Sequence, residues 1–448
     1  MNVQGRKKQL TSAQIIIFGF MAVILFGAFL LMLPIASKGP GGTSFLDALF
    51  TSTSAVCVTG LIVHDTATYW TAFGQVVIIA LIQVGGMGVV TVAVAIAMVS
   101  GKKIGLKERS TMQDAISAPK VGGIVRFTGF ILKGTFLVEL TGAVLMAPWF
   151  IRDFGFLKGI WYAVFHSISA FCNAGFDLMG VREPFSSLTS YVGNPVINFT
   201  IMMLIVVGGL GFLTWEDIRT NKLCWRKYRM QSKVILTTTV LLIIIPAVIF
   251  YFCEFNGPQW QNHGTRILAS LFQSVTPRTA GFNTVDLASM SEPGQLLMAI
   301  LMLIGGSPGS TAGGMKTTTL AVILLSAWGV FCRKGDAQCY GRRISEETVR
   351  YAAVVMIMYL TLCVGGAIII SYVEGLPMLT CIYETASAIA TVGLTLGVTP
   401  GLGPVSHIIL ILLMYCGRVG GLTLVYAAIS GVKPHVSRLP QEKITVDK

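Results

Sequence analysis

Four long apolar runs, at about residues 12–33, 124–148, 234–253 and 351–373, each open a stretch with the same succession of hydrophobic and polar positions. A short amphipathic segment of about ten residues follows and ends at a glycine. A second apolar run then comes, at about 74–99, 196–214, 295–329 and 405–430. Runs of ~20 apolar residues span the ~30 Å of hydrocarbon in a bilayer. Ten residues of helix cover only ~15 Å, so the short segments cannot span. They fit half-helices that enter the membrane and return as extended chain. Such backbone is tolerated only where protein or a water-filled cavity covers it. The pattern predicts an all-α polytopic membrane protein. It has four helix–short helix–helix repeats, at 1–101, 102–220, 221–335 and 336–448: eight transmembrane helices and four re-entrant pore helices.

The short segments share a motif. Phe50-Thr51-Ser52-Thr53-Ser54 leads to Gly60, and Phe165-His166-Ser167-Ile168-Ser169 leads to Gly175. Phe272-Gln273-Ser274-Val275-Thr276 leads to Gly281, and Tyr383-Glu384-Thr385-Ala386-Ser387 leads to Gly393. Each reads aromatic, polar, Ser/Thr, any residue, Ser/Thr, then a glycine followed by Leu or Phe. The aromatic precedes the glycine by ten residues in three copies and nine in the third. The glycines follow at intervals of 115, 106 and 112 residues. A second motif recurs downstream as Gly85-Gly86-Met87-Gly88, Gly208-Gly209-Leu210-Gly211 and Gly305-Gly306-Ser307-Pro308-Gly309. The fourth copy, Gly417-Arg418-Val419-Gly420, has arginine at the second glycine. Close packing of membrane helices explains small residues in general. It does not explain a glycine at a fixed distance from an aromatic-polar-Ser/Thr start.

Charge orients the units. Residues 101–126 carry six Lys/Arg, residues 219–233 six and residues 333–350 five, with three more (Arg6, Lys7, Lys8) at the N-terminus and four after 432. All fall on one side if each unit crosses twice. By the positive-inside rule that side is the cytoplasm, together with both termini. The four units are then parallel and can surround one axis with pseudo-fourfold symmetry. The first apolar run is too long for a signal peptide, whose core is ~7–15 residues.

Composition agrees. Of 448 residues, 54% are hydrophobic and 12% charged, against about 25% charged in soluble domains. The net charge of +13 is held in the loops just named, so it implies topology and no nucleic acid. Nine cysteines occur without a CxxC pair, and several read as small buried apolar residues. No nucleophile or metal-ligand constellation suggests an enzyme.

A dehydrated cation needs its water replaced by oxygen, which rings of backbone carbonyls supply. Glycine permits the dihedrals that aim successive carbonyls at an axis. Gly60, Gly175, Gly281 and Gly393 stand where such a filter needs them. Val58-Thr59, Asn173-Ala174, Thr279-Ala280 and Thr391-Val392 would supply the carbonyls. These pairs differ, which ligation by backbone tolerates. The short helices would aim the negative ends of their dipoles at the pore, with Asp47 and Glu384 near two of their N-terminal ends. The recurring Ser/Thr could anchor them through backbone carbonyls.

Val58-Thr59-Gly60-Leu61, Asn173-Ala174-Gly175-Phe176, Thr276-Pro277-Arg278-Thr279-Ala280-Gly281-Phe282 and Thr391-Val392-Gly393-Leu394 resemble the Trk/Ktr/HKT superfamily of potassium transporters over essentially the whole chain. The likeness is greatest to the bacterial Ktr membrane subunit. It implies potassium uptake across the bacterial cell membrane, with K+ held only at the filter and Na+ as a possible activating ion. It also implies a homodimer with one pore per protomer and a separate cytosolic regulatory ring that binds ATP/ADP or NAD. All four glycines go with potassium in that superfamily, whereas Ser at the first goes with sodium permeation. One glycine per copy, in place of Gly-Tyr-Gly, implies looser selection than in potassium channels.

Five glycines and a proline in Gly305–Lys316 cannot sustain a regular helix. The resemblance makes this stretch an intramembrane gate: Gly305, Gly306, Ser307, Gly309, Ser310, Thr311, Ala312, Gly313, Gly314 and Lys316. It is not a P-loop, since Met315 precedes Lys316 and Gly-Lys-Ser/Thr is absent. Arg418, a charge within an apolar helix, reads as an electrostatic barrier facing the path and the gate. Lys316 could instead snorkel to an interface. Lys133 and Glu139 pair or reach an interface, and His64, Asp65 and Asp177 read as solvated mouth residues. Two alternatives remain: a sodium-permeable channel of the same fold and an alternating-access secondary transporter.

Overall fold

The computed structural model describes residues 11–39, 41–100, 105–115, 123–222 and 224–420. Arg6, Lys7, Lys8, Lys102, Lys103, Lys120, the end of the fourth second run and the tail beyond it lie outside the described residues.

The first stretch holds α1 (Ser12–Met32), α2 (Phe45–Cys57), α3 (Ala72–Met87) and α4 (Val89–Val99), with α5 (Leu106–Ala115) after it. The second holds α6 (Ile124–Phe154), α7 (Phe156–Phe171), α8 (Pro195–Gly209) and α9 (Phe212–Asn221). The third holds α10 (Met230–Ile249), α11 (His263–Val275), α12 (Glu292–Leu303) and α13 (Thr317–Phe331). The fourth holds α14 (Glu346–Glu374), α15 (Met378–Ile389) and α16 (Pro404–Val419). A two-residue hairpin, in which Gln338 pairs with Arg343, precedes α14.

Local chemistry sets the ends. Thr11 and Gln14 form a reciprocal capping box at α1. Ser345 accepts from the Thr348 N–H at the start of α14, where Glu346 and Glu347 complement the helix dipole. Gly375 closes α14 with φ +68°. Among the described residues, α1, α6, α10 with its continuation to Glu254, and α14 are long and apolar enough to cross a membrane. They leave Phe29, Leu137, Ile244 and Ile368 exposed, as side chains facing lipid would be.

Of the second apolar runs only the third looks broken in the sequence, at residues 305–316, yet none of the four is one straight helix among the described residues. The chain turns by 96° between α3 and α4 and by 97° between α8 and α9. The hinges are Gly88 (φ 86°, ψ 133°) and Gly211 (φ 86°, ψ 139°). Gly420 ends α16 with nearly the same angles (φ 88°, ψ 123°), and residues 305–316 separate α12 from α13. The break at 305–316 is the expected one; hydropathy does not register a change of direction, so the apolar pattern hides those at Gly88, Gly211 and Gly420.

The motif glycines therefore have two tasks. The last one breaks the helix. The first lets the helix lie on the end of a short helix. A Cβ on Gly85, Gly208 or Gly417 would stand 2.0, 2.1 or 2.0 Å from the carbonyl oxygen of Val56, Phe171 or Ile389. Each short helix also touches the second helix of the preceding unit: α7 meets α3, α11 meets α8, α15 meets α12, and α2 meets α16. That succession closes on itself. The motif aromatics Phe50, Phe165, Phe272 and Tyr383 are fully buried in the core so formed.

Gly417→Ala should lower stability by about 1–3 kcal/mol, because the added methyl must displace main chain. Gly365→Ala, where a Cβ meets nothing within 4 Å, should not. Melting temperatures of the purified protein in detergent check this, and equal values would contradict it.

Candidate ion pathway

Each short helix runs into a turn of the same shape. Val58, Asn173, Thr279 and Thr391 all have left-handed backbone, with φ of 60°, 60°, 64° and 53°. Two residues on, Gly60, Gly175, Gly281 and Gly393 have φ of 95°, 69°, 81° and 92°. Left-handed backbone in a branched residue such as Val58 costs of order 1–3 kcal/mol and persists only where its surroundings impose it.

The surroundings are hydrogen bonds from the short helices. Thr59, Ala174 and Val392 donate their N–H to the carbonyls of Ser54, Ser169 and Ser387 at 2.7, 2.8 and 2.8 Å, and Ala280 donates to Thr276 at 3.0 Å. The last Ser/Thr of each motif adds a second tie. Ser54 and Ser387 accept the N–H of Gly60 and Gly393, both at 3.0 Å. Ser169 donates to the Phe176 carbonyl at 2.7 Å, and Thr276 donates to that of Phe282. These hydroxyls hold the turns. Their fixed fifth place is visible in the sequence, but only a general anchoring role follows from it. The earlier Ser52 and Ser167 anchor the helices themselves, donating to the Ile24 and Glu139 carbonyls.

The structure brings the four turns together. A Cβ on Gly60 would stand 2.4 Å from the Ala174 carbonyl oxygen, and one on Gly175 would stand 2.7 Å from that of Ala280. One on Gly281 would stand 2.5 Å from the Val392 oxygen, and one on Gly393 would stand 2.2 Å from that of Thr59. Each glycine faces the next copy, and the circle closes. Asn173 adds a side-chain link to the third turn, donating to the Arg278 carbonyl and the Thr279 hydroxyl at 3.3 Å each.

Residues 305–316 adjoin this circle. A Cβ on Gly313 would strike the Thr391 hydroxyl. A parallel bridge joins Ile304 to Met315. Gly305 donates to the Met315 carbonyl at 2.7 Å, and Thr317 to that of Gly306 at 3.0 Å. Ser307 and Thr311 donate their N–H to the Gly209 and Gly208 carbonyls, left free where α8 stops, and Phe212 donates back to Gly309. The Thr311 hydroxyl donates to the Phe171 carbonyl, and Ser310 to that of Ser307. Lys316 turns inward, donating to the Ala312 and Gly313 carbonyls at 2.9 and 3.2 Å. It does not snorkel. Gly314 takes φ +65° beside Ala390.

Arg418 reaches the loop from α16. It donates to the Thr311 carbonyl and, where α3 ends, to those of Gly85 and Gly86. A cavity of about 380 Å³ adjoins the loop, lined by Met87, Thr91, Asp114, Lys316, Tyr359 and Arg418 among others.

Other expectations need correction. Asp65 is buried, not solvated. It accepts from the Ala67 and Thr68 N–H groups and from that of Phe185, tying the first unit to the second. Asp177 is half-buried and accepts from the Met179 N–H. His64 stacks on Tyr69 and pairs with Asp47 at 3.2 Å. Glu139 meets Gln83 at 3.2 Å and not Lys133, which is exposed. Asp47 does lie in the first turn of its helix, but Glu384 lies well inside α15.

Residues 8–435 match the model of a family described as TrkH, cation transport protein. The chain belongs to that family. The likeness carried by the glycine motifs is thereby shown, and the family is one of transporters rather than enzymes. Potassium/sodium uptake protein NtpJ of Enterococcus hirae is 40% identical, with 94% of each chain covered. Ktr system potassium uptake protein B of Bacillus subtilis is 39% identical, with 93% of each covered. That of Vibrio alginolyticus is 34% identical over 96% of this chain and 94% of its own. The crystal structure of the potassium transporter TrkH from Vibrio parahaemolyticus superposes with TM-score 0.73 at 19% identity, covering 95% of this chain and 86% of that one. It shares the fold.

Ser54→Ala and Ser387→Ala each remove the acceptor of a glycine N–H. Each should cost about 1 kcal/mol, read as a lower melting temperature of the purified protein. An unchanged value would count against the tie.

Proposed function

We propose that the chain is the ion-translocating subunit of a potassium uptake system. Eight membrane-crossing segments and four re-entrant helices, in four parallel units, surround one pore, with both termini in the cytoplasm. The reading rests on one observation: four glycine turns, each at the end of a buried short helix, pack in a closed circle. Carbonyls of Val58, Thr59, Asn173, Ala174, Thr279, Ala280, Thr391 and Val392 line the filter and replace the water of a dehydrated potassium ion. Four short-helix C-termini add their negative dipole ends.

Gly305–Lys316 is the gate, because it adjoins the circle and is held by bonds a small movement can break. Arg418 latches it and sets a positive charge in the path. The names of the Ktr relatives favour a multi-component system, with a cytosolic nucleotide-binding ring acting on a dimer of this chain. Sodium is the second reading, since the Enterococcus hirae relative is named for both ions.

Expression in cells lacking their own potassium uptake tests the proposal. Growth at low potassium, with rubidium uptake in excess of sodium uptake, is expected; sodium uptake without rescue favours the second reading. Gly281→Ser puts a side chain against the Val392 carbonyl at φ +81°. It should lower the preference for potassium over sodium about tenfold, the equivalent of ~1.4 kcal/mol. Deleting Gly309–Gly314 should raise flux. Unchanged flux would make the stretch a packing linker.

A further inference from the structure

The second residue of the repeated motif differs in every copy, and the transport reading leaves it without a role. It is Thr51, His166, Gln273 and Glu384 in turn. The structure gives two of these residues the same task. His166 accepts at Nε2 from the N–H of Leu178, 3.3 Å away, three residues past Gly175. Its Nδ1 is 2.7 Å from the Tyr162 carbonyl, which fixes the neutral ring with the proton on Nδ1. Glu384 accepts at Oε1 from the N–H of Leu396, 3.1 Å away, three residues past Gly393. The Thr395 hydroxyl donates to the same oxygen, and that of Thr399 donates to Oε2 at 2.7 Å. All of this is buried: His166 is 0% and Glu384 1% exposed.

The other two copies lack the fastening. The corresponding positions are Val63 and Thr284, three residues past Gly60 and Gly281. Among the described residues no such bond joins them to Thr51 or Gln273. Gln273 is fully buried with neither amide atom bonded, and the Thr284 hydroxyl is also unpartnered. The glycine contacts run from first to second to third to fourth copy and back. The fastened turns therefore face each other across the circle, and so do the unfastened ones.

We propose that His166 and Glu384 are positioning residues that hold two opposite turns of the filter at fixed separation, and that ion discrimination depends on them more than on Thr51 and Gln273. The proposal rests on the transport reading above. Neither side chain touches the ion. Each ties the strand leaving the filter to its own short helix from behind. A turn with this extra tie resists closing around a smaller ion more than one held by its Ser/Thr hydroxyl and backbone bonds without it, and sodium is the smaller.

The test is carried out on the full chain in cells without native potassium uptake, as the ratio of rubidium to sodium uptake at matched membrane abundance. His166→Leu and Glu384→Leu should lower the ratio ~3- to 10-fold, the effect of one net hydrogen bond. Gln273→Leu should leave it unchanged, and Glu384→Gln, which keeps an acceptor oxygen, should retain most of it. The proposal is overturned by an unaltered ratio in the two leucine variants, or by an equal fall in Gln273→Leu. Amide exchange of the wild-type protein needs no substitution and decides the case of a variant that fails to accumulate. Leu178 and Leu396 should exchange more slowly than Val63 and Thr284; equal rates overturn the fastening. A wild-type chain that takes up no rubidium overturns the transport reading together with this proposal. Wild-type uptake with the ratio unmoved in the variants overturns this proposal alone.

Discussion

A helix interrupted inside a bilayer leaves carbonyls that water cannot reach, and every such group must find a partner within the protein. The architecture follows from that demand. Three helices stop at a glycine with closely similar dihedrals, and the fourth dissolves into residues 305–316. The carbonyls released at the end of α8 are taken by the Ser307 and Thr311 N–H groups, and those at the end of α3 by Arg418. Residues 305–316 and Arg418 thus complete the secondary structure of neighbouring units. An arginine can replace the glycine at 418 because three main-chain oxygens await its donors, including Thr311 of the loop. The usual cost of a charge at that depth is offset by those bonds.

The same demand governs the four turns. A short helix that ends in mid-membrane must pass its last hydrogen bonds to something. Here the N–H groups of the following turn donate to its last carbonyls, and its Ser/Thr hydroxyls tie the turn back to the helix. The left-handed residues at 58, 173, 279 and 391 are held by these bonds and by contact with the adjacent copy. No turn rests on its own preference.

Much of this was legible because glycine is chemically irreplaceable where φ is positive and main chains touch. Gly60, Gly175, Gly281 and Gly393 marked the turns, and the aromatic ahead of each marked a buried core position. The breaks at Gly88 and Gly211 were hidden, since an apolar run reads alike whether straight or bent. The burial of Asp65 was hidden because its partner, the Phe185 N–H, comes from a different unit. Glu384 reads as a helix-start residue because the motif aromatic Tyr383 marks the short segment in the sequence, whereas α15 begins earlier, at Met378. Its true neighbours, Thr395 and Thr399, are visible only after the chain has turned back.

The bond between Arg418 and Gly85 spans 333 residues of chain. Contacts so remote in sequence form late, since a long loop must close first. The end of α3 is made early, but its carbonyls must wait for nearly the whole polypeptide. During synthesis the first three units hold an unfinished site in the bilayer, and only the last helix completes it. A chain truncated before α16 would carry α1 to α15 and still lack the group that seals the end of α3.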